Sequence, residues 1–542
     1  MSPTLRGGTI DAQVAVVGAG PVGMTLAGRL AQLGVSVLVV EQHPGLVGEG
    51  SKGLCMQRET LEIWERLGIG QRVAERGVQW NVGRTYFRGR ELFQVRLPSS
   101  TGERFPPFVN ISQTEVEEML LARLGELPVD LRWGHELTAL RQGRDGVTLE
   151  CETPKGKVTL RVDYLVGADG AHSGVRHLLG MGFPGHSFPD LFLISDIRAR
   201  LPFPHERRFY FDPPSNPGRQ VLIHPQPDDT WRIDWQLPPG TDIDAERANG
   251  KLERRIRAVI GGSTRYELLW LTQYRFHQRL VDRFRAGRVF LAGDAAHLFS
   301  PFGARGLNSG VADAENLAWK LATVLDGRAS ESLLESYHVE RRAAAVENLD
   351  VTEGSMRFMV PHGRVRRSLR NAILRGSLRM ARLRRLVNSG RLSQPFTYGA
   401  SPIVTPAPRD VRIPPMGGVA PDAACGALGA DARPVWLRDL FGSRFVAVIV
   451  SDKSRAGSSA AIRASRLAWP APCDVVAVGP DAPLAGVTVL ADPTGEARRA
   501  YGGAGPSAFL VRPDGHLAAW VPLPRPEGVD VLPGLLAHAI GA

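Results

Sequence analysis

The sequence predicts an α/β protein: a parallel-sheet body with an interleaved antiparallel sheet, followed by a second, smaller α/β unit. Three observations predict it. A strand, a glycine-rich loop, a helix and a second strand run from Val14 to Glu41. A β-rich stretch from Phe183 to about Leu280 sits between two helix-containing regions. A segment rich in Pro, Gly and Ala, Ser401 to Ala432, then precedes renewed strand and helix patterns. The expected boundaries are 1–182 with 281–400 for the body and its following helices, 183–280 with parts of 75–110 for the inserted sheet, 401–432 for a linker and 433–542 for the last unit.

Val14 to Val17 reads as a buried strand, Met24 to Leu33 as a helix stopped by Gly34, and Val35 to Val40 as a second strand ending at Glu41. Between the first strand and the helix lies Gly18-Ala19-Gly20-Pro21-Val22-Gly23. Gly18 permits a tight turn, Gly20 lets backbone approach a pyrophosphate, and Gly23 allows close helix-to-strand packing. Glu41, 18 residues after Gly23, is placed to hold adenosine ribose hydroxyls and disfavours a 2′-phosphate there. Strand, loop, helix, strand and acid together predict a dinucleotide site.

Arg58 opens a helix carrying Leu61, Trp64 and Leu67, and reads equally as a phosphate ligand or a surface helix-start arginine. Gln113, after Val109-Asn110-Ile111, either touches a cofactor chain or caps the helix Glu115 to Leu124. Alternating stretches at Leu131 to Leu140, Val147 to Cys151 and Val158 to Val162 predict a β-meander. It leads into Tyr164-Leu165-Val166, which ends at Gly167-Ala168-Asp169-Gly170 with a carboxylate at the end of a buried strand. Another helix starts within Ala171 to Arg176.

In the β-rich stretch, Phe209-Tyr210-Phe211, Val221 to His224 and Trp231 to Leu237 read as strands. Along the last, Trp231, Ile233, Trp235 and Leu237 share the buried face, and Arg232, Asp234 and Gln236 take the other. A separate antiparallel sheet is the natural home of a substrate lid.

Gly287 to Ala322 organises the rest of the chain. Arg288 to Ala292 is a short strand ending in Gly293-Asp294, whose carboxylate suits the hydroxyls of a sugar-like chain. After Pro301, the loop Phe302 to Asn308 runs into Ser309 to Leu321, where Val311, Ala314, Leu317, Ala318 and Leu321 recur at helical spacing. The unpaired N–H groups and positive end of that helix favour an electron-rich, partly anionic group. Taken alone the stretch also fits an ordinary strand-loop-helix connection.

The formal charge of +11 is local, because Gly354 to Arg409 holds twelve Arg and no Asp or Glu, leaving the remainder near neutral. Leu369, Ile373, Leu374 and Leu378 interrupt the arginines as in an amphipathic helix. A solvated helix face packed on the body explains this most simply, with a peripheral membrane or acidic partner as the alternative. No nucleic-acid recognition motif accompanies it, so nucleic acid is not an expected partner. Cys55, Cys151, Cys425 and Cys473 show no CxxC or metal-type spacing, which predicts no metal site and a reducing cytoplasm. The first residues lack the apolar core of a signal peptide, and no apolar run reaches the length of a membrane span.

The glycine loop Gly18 to Gly23, the Asp-Gly motif at Gly167 to Arg176 and the Gly-Asp motif at Gly287 to His297, in that order, resemble the single-component FAD-dependent aromatic hydroxylases, the group A flavoprotein monooxygenases. Tyr398 to Val404 and the Arg512-Pro513-Asp514-Gly515 ending are similar to the branch of 3-(3-hydroxyphenyl)propionate and phenol hydroxylases. The resemblance implies a Rossmann-like FAD domain and a thioredoxin-like C-terminal domain, here without CxxC and so structural, with a homodimer interface one place it can serve. It implies NADH or NADPH as co-substrate, and oxygen transfer from a flavin C4a-hydroperoxide to a phenolic aromatic ring. Epoxidation or Baeyer–Villiger insertion on a polyketide, and a non-catalytic flavin-bound scaffold, are the alternatives.

Carried over by position, Gly18, Gly20, Gly23 and Glu41 would hold the ADP half of FAD, with Arg58 and Gln113 near its pyrophosphate and ribityl chain. Asp169 would support the pyrophosphate and nicotinamide region, Asp294 the ribityl hydroxyls, and Gly306, Leu307 and Asn308 the ring, with Gly293 and Pro301 also in the cofactor site. The family loop Pro-x-Gly-Gly-Gln-Gly is here Pro301-Phe302-Gly303-Ala304-Arg305-Gly306. Arg305 could serve anionic flavin or an acidic substrate, or point to solvent. No general base is identified: Tyr210, His224 and Arg305 are catalytic candidates, and Tyr210, His224, Trp235 and Phe302 substrate candidates.

Overall fold

The computed structural model describes residues 10–48, 53–97, 103–361, 363–378, 380, 394–427, 434–451, 455–480, 482–502 and 505–542. The body is built on an eight-stranded sheet whose first strand, Ala12–Val17, lies between Val37–Glu41 and Gly156–Gly167, parallel to both. Val289–Leu291 extends it in parallel beyond Gly156–Gly167, so the Gly18, Asp169 and Gly293 turns all lie at carboxyl ends of neighbouring strands. In an open α/β sheet that is the ligand-binding edge. Val14, Val16, Leu38 and Val40 are fully buried, as expected of parallel strands covered on both faces. The helices Pro21–Gln32 and Gly306–Leu325 pack together over the sheet.

A second eight-stranded sheet runs in the order His297–Leu298, Glu267–Leu280, Gly185–Arg198, Thr230–Leu237, Gln220–Pro225, Arg207–Phe211, Val82–Phe87, Arg90–Arg96. It is antiparallel except where Arg207–Phe211 pairs with Val82–Phe87. One of its faces packs Trp231, Ile233 and Trp235 against Leu252, Ile256 and Ile260 of the helix Lys251–Ile260.

A third, seven-stranded sheet forms the C-terminal unit, with Phe445–Val450, Cys473–Val478 and Thr488–Ala491 parallel and Ser507–Val511 and Leu517–Pro522 added antiparallel. The segment expected to be a linker belongs largely to this unit. Val404, Met416, Ala420 and Cys425 are buried in its core, and Ala424–Ala427 pairs with Thr488–Ala491. Composition alone misreads it, because scattered apolar side chains between prolines suffice to dock a chain that has no periodic pattern.

The basic segment begins in the last turns of the helix Ser332–Met359 and continues as a second helix, Arg364–Gly376, with Leu374 buried and Arg370 stacked over Phe211. Leu369 remains 61% exposed. Arg379, Arg382, Arg384, Arg385 and Arg391 lie outside the described residues. No helix among the described residues is long and apolar enough to cross a membrane, and none of their His, Cys, Asp and Glu groups could hold a metal ion.

Candidate active site

The three carboxyl-end turns and one face of the antiparallel sheet enclose a cavity of about 780 Å³. At the end lined by the glycine-rich loop, a Cβ on Gly23 would stand 2.0 Å from Gly18 O, and one on Gly18, at φ +103°, would stand 2.6 Å from Ala168 O. These two positions admit only glycine. Gly20 differs: it lines the cavity, and a Cβ there would meet nothing within 4 Å. Glu41 accepts from the backbone N–H of Ala19 (2.9 Å) and of His43 (3.0 Å), which fixes the loop while leaving lone pairs for other donors.

At the second turn, Asp169 Oδ2 accepts from Val175 N (3.0 Å). Its Oδ1 is buried with no donor among the described residues, and burial raises its pKa. An orphaned acceptor on a cavity wall is a place for a ligand hydroxyl. At the third turn, Gly293 (φ +62°) donates to Asp313 Oδ2 (2.9 Å), leaving Asp294 exposed to the cavity. Asp313 is itself fixed by His297 Nε2 (2.7 Å) and Arg341 Nε (2.6 Å), all three side chains being essentially inaccessible to solvent.

The helix Gly306–Leu325 presents its first turn, Gly306, Leu307 and Asn308, to the cavity. Asn308 does more than line it: Oδ1 accepts from Gln57 N (2.9 Å) and Thr60 Oγ1 (2.6 Å), and Nδ2 donates to Cys55 O (2.9 Å). Pro301 and Phe302 line the same wall, and Arg305 donates to Asn348 Oδ1. Gln113 lines the cavity at the start of its helix while accepting from Gly53 N (3.0 Å), so the cap there is Ser112. Arg58 is not among the lining residues. Its Nε donates to Phe105 O (2.7 Å) and Nη1 pairs with Glu103 (2.5 Å), so the phosphate role read from the sequence has no geometric basis.

Strand alternation sorts the remaining candidates. Phe209, Leu222, Asp234, Ile194 and Thr272 form one row across the sheet, and all five line the cavity. The next row on that face places His224 beside Arg232 and Arg232 beside Asp196. Tyr210 and Trp235 are one residue out of phase and fall on the other face: Trp235 is in the core under Lys251–Ile260, and Tyr210 stacks on Tyr86 with centroids 4.5 Å apart. Neither touches the cavity, which corrects their assignment as substrate residues. His224 and Phe302 do line it.

The sequence reading also missed Arg232 and Asp234. The face opposite Trp235 is not a solvent face but the cavity wall, with Arg232 only 2% exposed. Arg232 reaches Asp196 through two bonds, 2.8 and 2.7 Å. Burial, followed by Arg207 and Arg232, pushes the His224 pKa well down, so its ring is neutral, 3.9 Å from Cys55 Sγ. Three polar residues alternating with buried aromatics were the available signal.

The FAD binding domain family matches residues 11–352. A 3-(3-hydroxy-phenyl)propionate/3-hydroxycinnamic acid hydroxylase of Mycobacterium sp. (strain JLS) is 30% identical over 553 residues, covering 99% of this chain and 94% of the relative. This chain belongs to that family of FAD-dependent aromatic hydroxylases. Among solved structures, the flavin-dependent monooxygenase PieE in complex with FAD and substrate shares the fold of this flavoprotein, with a TM-score of 0.83 at 24% identity over 98% of this chain and 100% of that one. Aklavinone-11 hydroxylase, in a ternary complex with FAD and aklavinone, matches with a TM-score of 0.77 at 26% identity over 99% and 100%.

The residues present fit FAD. The open space over Gly20 accommodates a backbone-hugging pyrophosphate, Asp169 Oδ1 awaits a donor, and Asp294 and a helix N-terminus face the same cavity. Gly20→Val should therefore leave the flavoprotein folded but colourless after purification, with FAD affinity reduced at least about tenfold, the equivalent of ~1.4 kcal/mol. Full flavin occupancy in that variant would place the cofactor elsewhere.

Proposed function

We propose that this flavoprotein takes reducing equivalents from NADH or NADPH and uses dioxygen to hydroxylate a phenolic ring held against its antiparallel sheet. The observation that carries the reading is continuity: one cavity joins Gly20, Asp169 and Asp294 to the Phe209–Thr272 row, so cofactor and substrate can meet without crossing solvent. Bound FAD supplies the hydride acceptor and the oxygen-activating group.

The chain's own residues bind, orient and exclude water. Gly18, Gly20, Gly23 and Glu41 would hold the ADP half, with Gln113 near the ribityl chain. Asp169 would support the pyrophosphate and Asp294 the ribityl hydroxyls, and the first-turn N–H groups of Gly306, Leu307 and Asn308 would meet an electron-rich ring edge. Phe192, Phe276 and Phe302 form an aromatic wall, with the Phe192 and Phe276 centroids 4.1 Å apart. Such a wall dries the site and favours a flat aromatic substrate. The names of the 3-(3-hydroxy-phenyl)propionate/3-hydroxycinnamic acid hydroxylase and of aklavinone-11 hydroxylase, both hydroxylases, support this reading.

We take the C-terminal unit to be a thioredoxin-like scaffold, since burial raises the Cys425 thiol to about 12 and Cys473 also upward, which disfavours thiol chemistry. The four free thiols agree with a reducing cytoplasm. The test is NADH and NADPH oxidation by the yellow protein across phenols, hydroxybenzoates, phenylpropionates and fused-ring phenols, with product mass. Oxidation stimulated by one class, with a product one oxygen heavier, is the expected result; indifference to every phenol overturns the reading.

A further inference from the structure

Asp234 is the one carboxylate in its row, flanked by Leu222 and Ile194 on the neighbouring strands. It lies deep in the molecule with part of its surface toward the cavity, and its Oδ1 has no donor among the described residues. Of the charges around it, Arg232 and Asp196 are already committed to each other. Arg232, on its own strand, is held by two bonds to Asp196 of Gly185–Arg198. Arg207, on Arg207–Phe211, acts on Asp234 through space, while His224 on Gln220–Pro225 is neutral and Cys55 keeps its proton, its pKa raised to about 12 by burial. A carboxylate on a largely apolar cavity wall, with an orphaned acceptor, calls for a neutral donor from the ligand.

We propose that Asp234 is the substrate-recognition group, accepting the hydrogen bond of the phenolic hydroxyl and taking its proton as the ring is hydroxylated. The inference rests on the phenol reading above. In the step, the phenolic O–H bond breaks, the proton forms an O–H bond with the Asp234 carboxylate, and the electron pair stays on the phenolate oxygen. That pair activates the ring carbons ortho and para to it; as aromaticity is restored the C–H bond at the hydroxylated carbon breaks and its proton goes to the second oxygen atom of dioxygen, which leaves as water, while Asp234 returns its proton to the phenolate oxygen. Asp234 therefore has to be ionised when substrate binds.

Burial, only partly opposed by Arg232, and the nearby charge of Asp196 raise its pKa to about 7. The proton-accepting form consequently builds up through neutral pH. The same environment has a stability consequence with a definite sign. In the unfolded chain the carboxylate ionises near pH 4, so wild-type stability falls as pH rises from there to about 7. Asp234→Asn removes that loss.

The experiment compares binding of 2-naphthol and 2-methoxynaphthalene to the FAD-loaded wild type, Asp234→Asn and Asp234→Ser, followed by flavin absorbance. The wild type should prefer the naphthol by about tenfold or more, and both variants should lose that preference. The melting temperature of Asp234→Asn relative to wild type should rise between pH 5 and pH 8. Equal wild-type affinity for naphthol and ether, no naphthol binding, or an unchanged preference in both variants overturns the assignment. Preserved wild-type discrimination in a protein whose NAD(P)H oxidation no phenol stimulates overturns the hydroxylase reading instead, and leaves Asp234 as a hydroxyl-binding group.

Discussion

Replacing Arg512 by alanine should destabilise the protein by about 3–5 kcal/mol, the cost of leaving buried carboxylates without their cation. Arg512 is fully buried between the C-terminal sheet and the body. It donates to Glu340 Oε1 (2.6 Å) and Oε2 (3.0 Å), and also to Asp514. Glu340 is in addition bonded by Lys320 Nζ (2.7 Å), Asn316 Nδ2 (2.7 Å) and Ser401 Oγ (2.6 Å). Asp514 accepts from Trp319 Nε1 (3.1 Å), on the helix whose first turn faces the cavity. Against the desolvation of burial, Arg512 and Lys320 hold Glu340 well below the usual carboxylate range.

The sign of the pH effect follows. The contribution of Glu340 is complete above the pH where unfolded carboxylates ionise, about 4, and is lost as pH falls below it. Arg512→Ala should remove both stability and part of the acid lability, measured by denaturant unfolding at pH 7 and at about pH 3. Wild-type midpoints at both would show the network to be energetically neutral. Because the pairs join the body to the C-terminal unit, the loss should appear first as protease sensitivity of the 394–427 segment.

The second large effect is expected at Asp313. Asp313→Ala leaves Arg341 and His297 facing an empty, solvent-free pocket and removes the acceptor for Gly293 N. The expected cost is again about 3–5 kcal/mol. Here a functional loss accompanies it, since the turn that aims Asp294 into the cavity is no longer held. Asp313→Asn keeps the shape and one acceptor, so it should retain more flavin than Asp313→Ala while still losing stability. Equal flavin content in wild type and both variants would separate the turn from this cluster.

Much of the geometry of the three turns was legible because its requirements are local. Gly18 and Gly23 are forced by backbone within a few residues or at the adjacent strand end, while Glu41 is the last residue of its strand and Asp294 lies three residues past Val289–Leu291. Asn308 was legible only as a position. Its side chain clips the 55–60 segment, a partnership about 250 residues long in sequence that no periodicity encodes. Arg58 reads equally as a phosphate ligand or a surface helix-start arginine until Glu103 and Phe105 O are found beside it.

The sequence by itself determined the parallel sheet, the placement of three turns along one chain of motifs, and the membership of Trp231, Ile233, Trp235 and Leu237 on one face. Only the tertiary structure decided what covers each face of that strand. Period-two alternation separates the two sets of side chains but carries no information about what packs against either. Helix Lys251–Ile260 covers the tryptophans and the cavity covers Arg232 and Asp234, because segments distant in the chain arrive on opposite sides of the sheet. For the same reason Arg512 and Glu340, 172 positions apart, become a buried pair that neither neighbourhood announces.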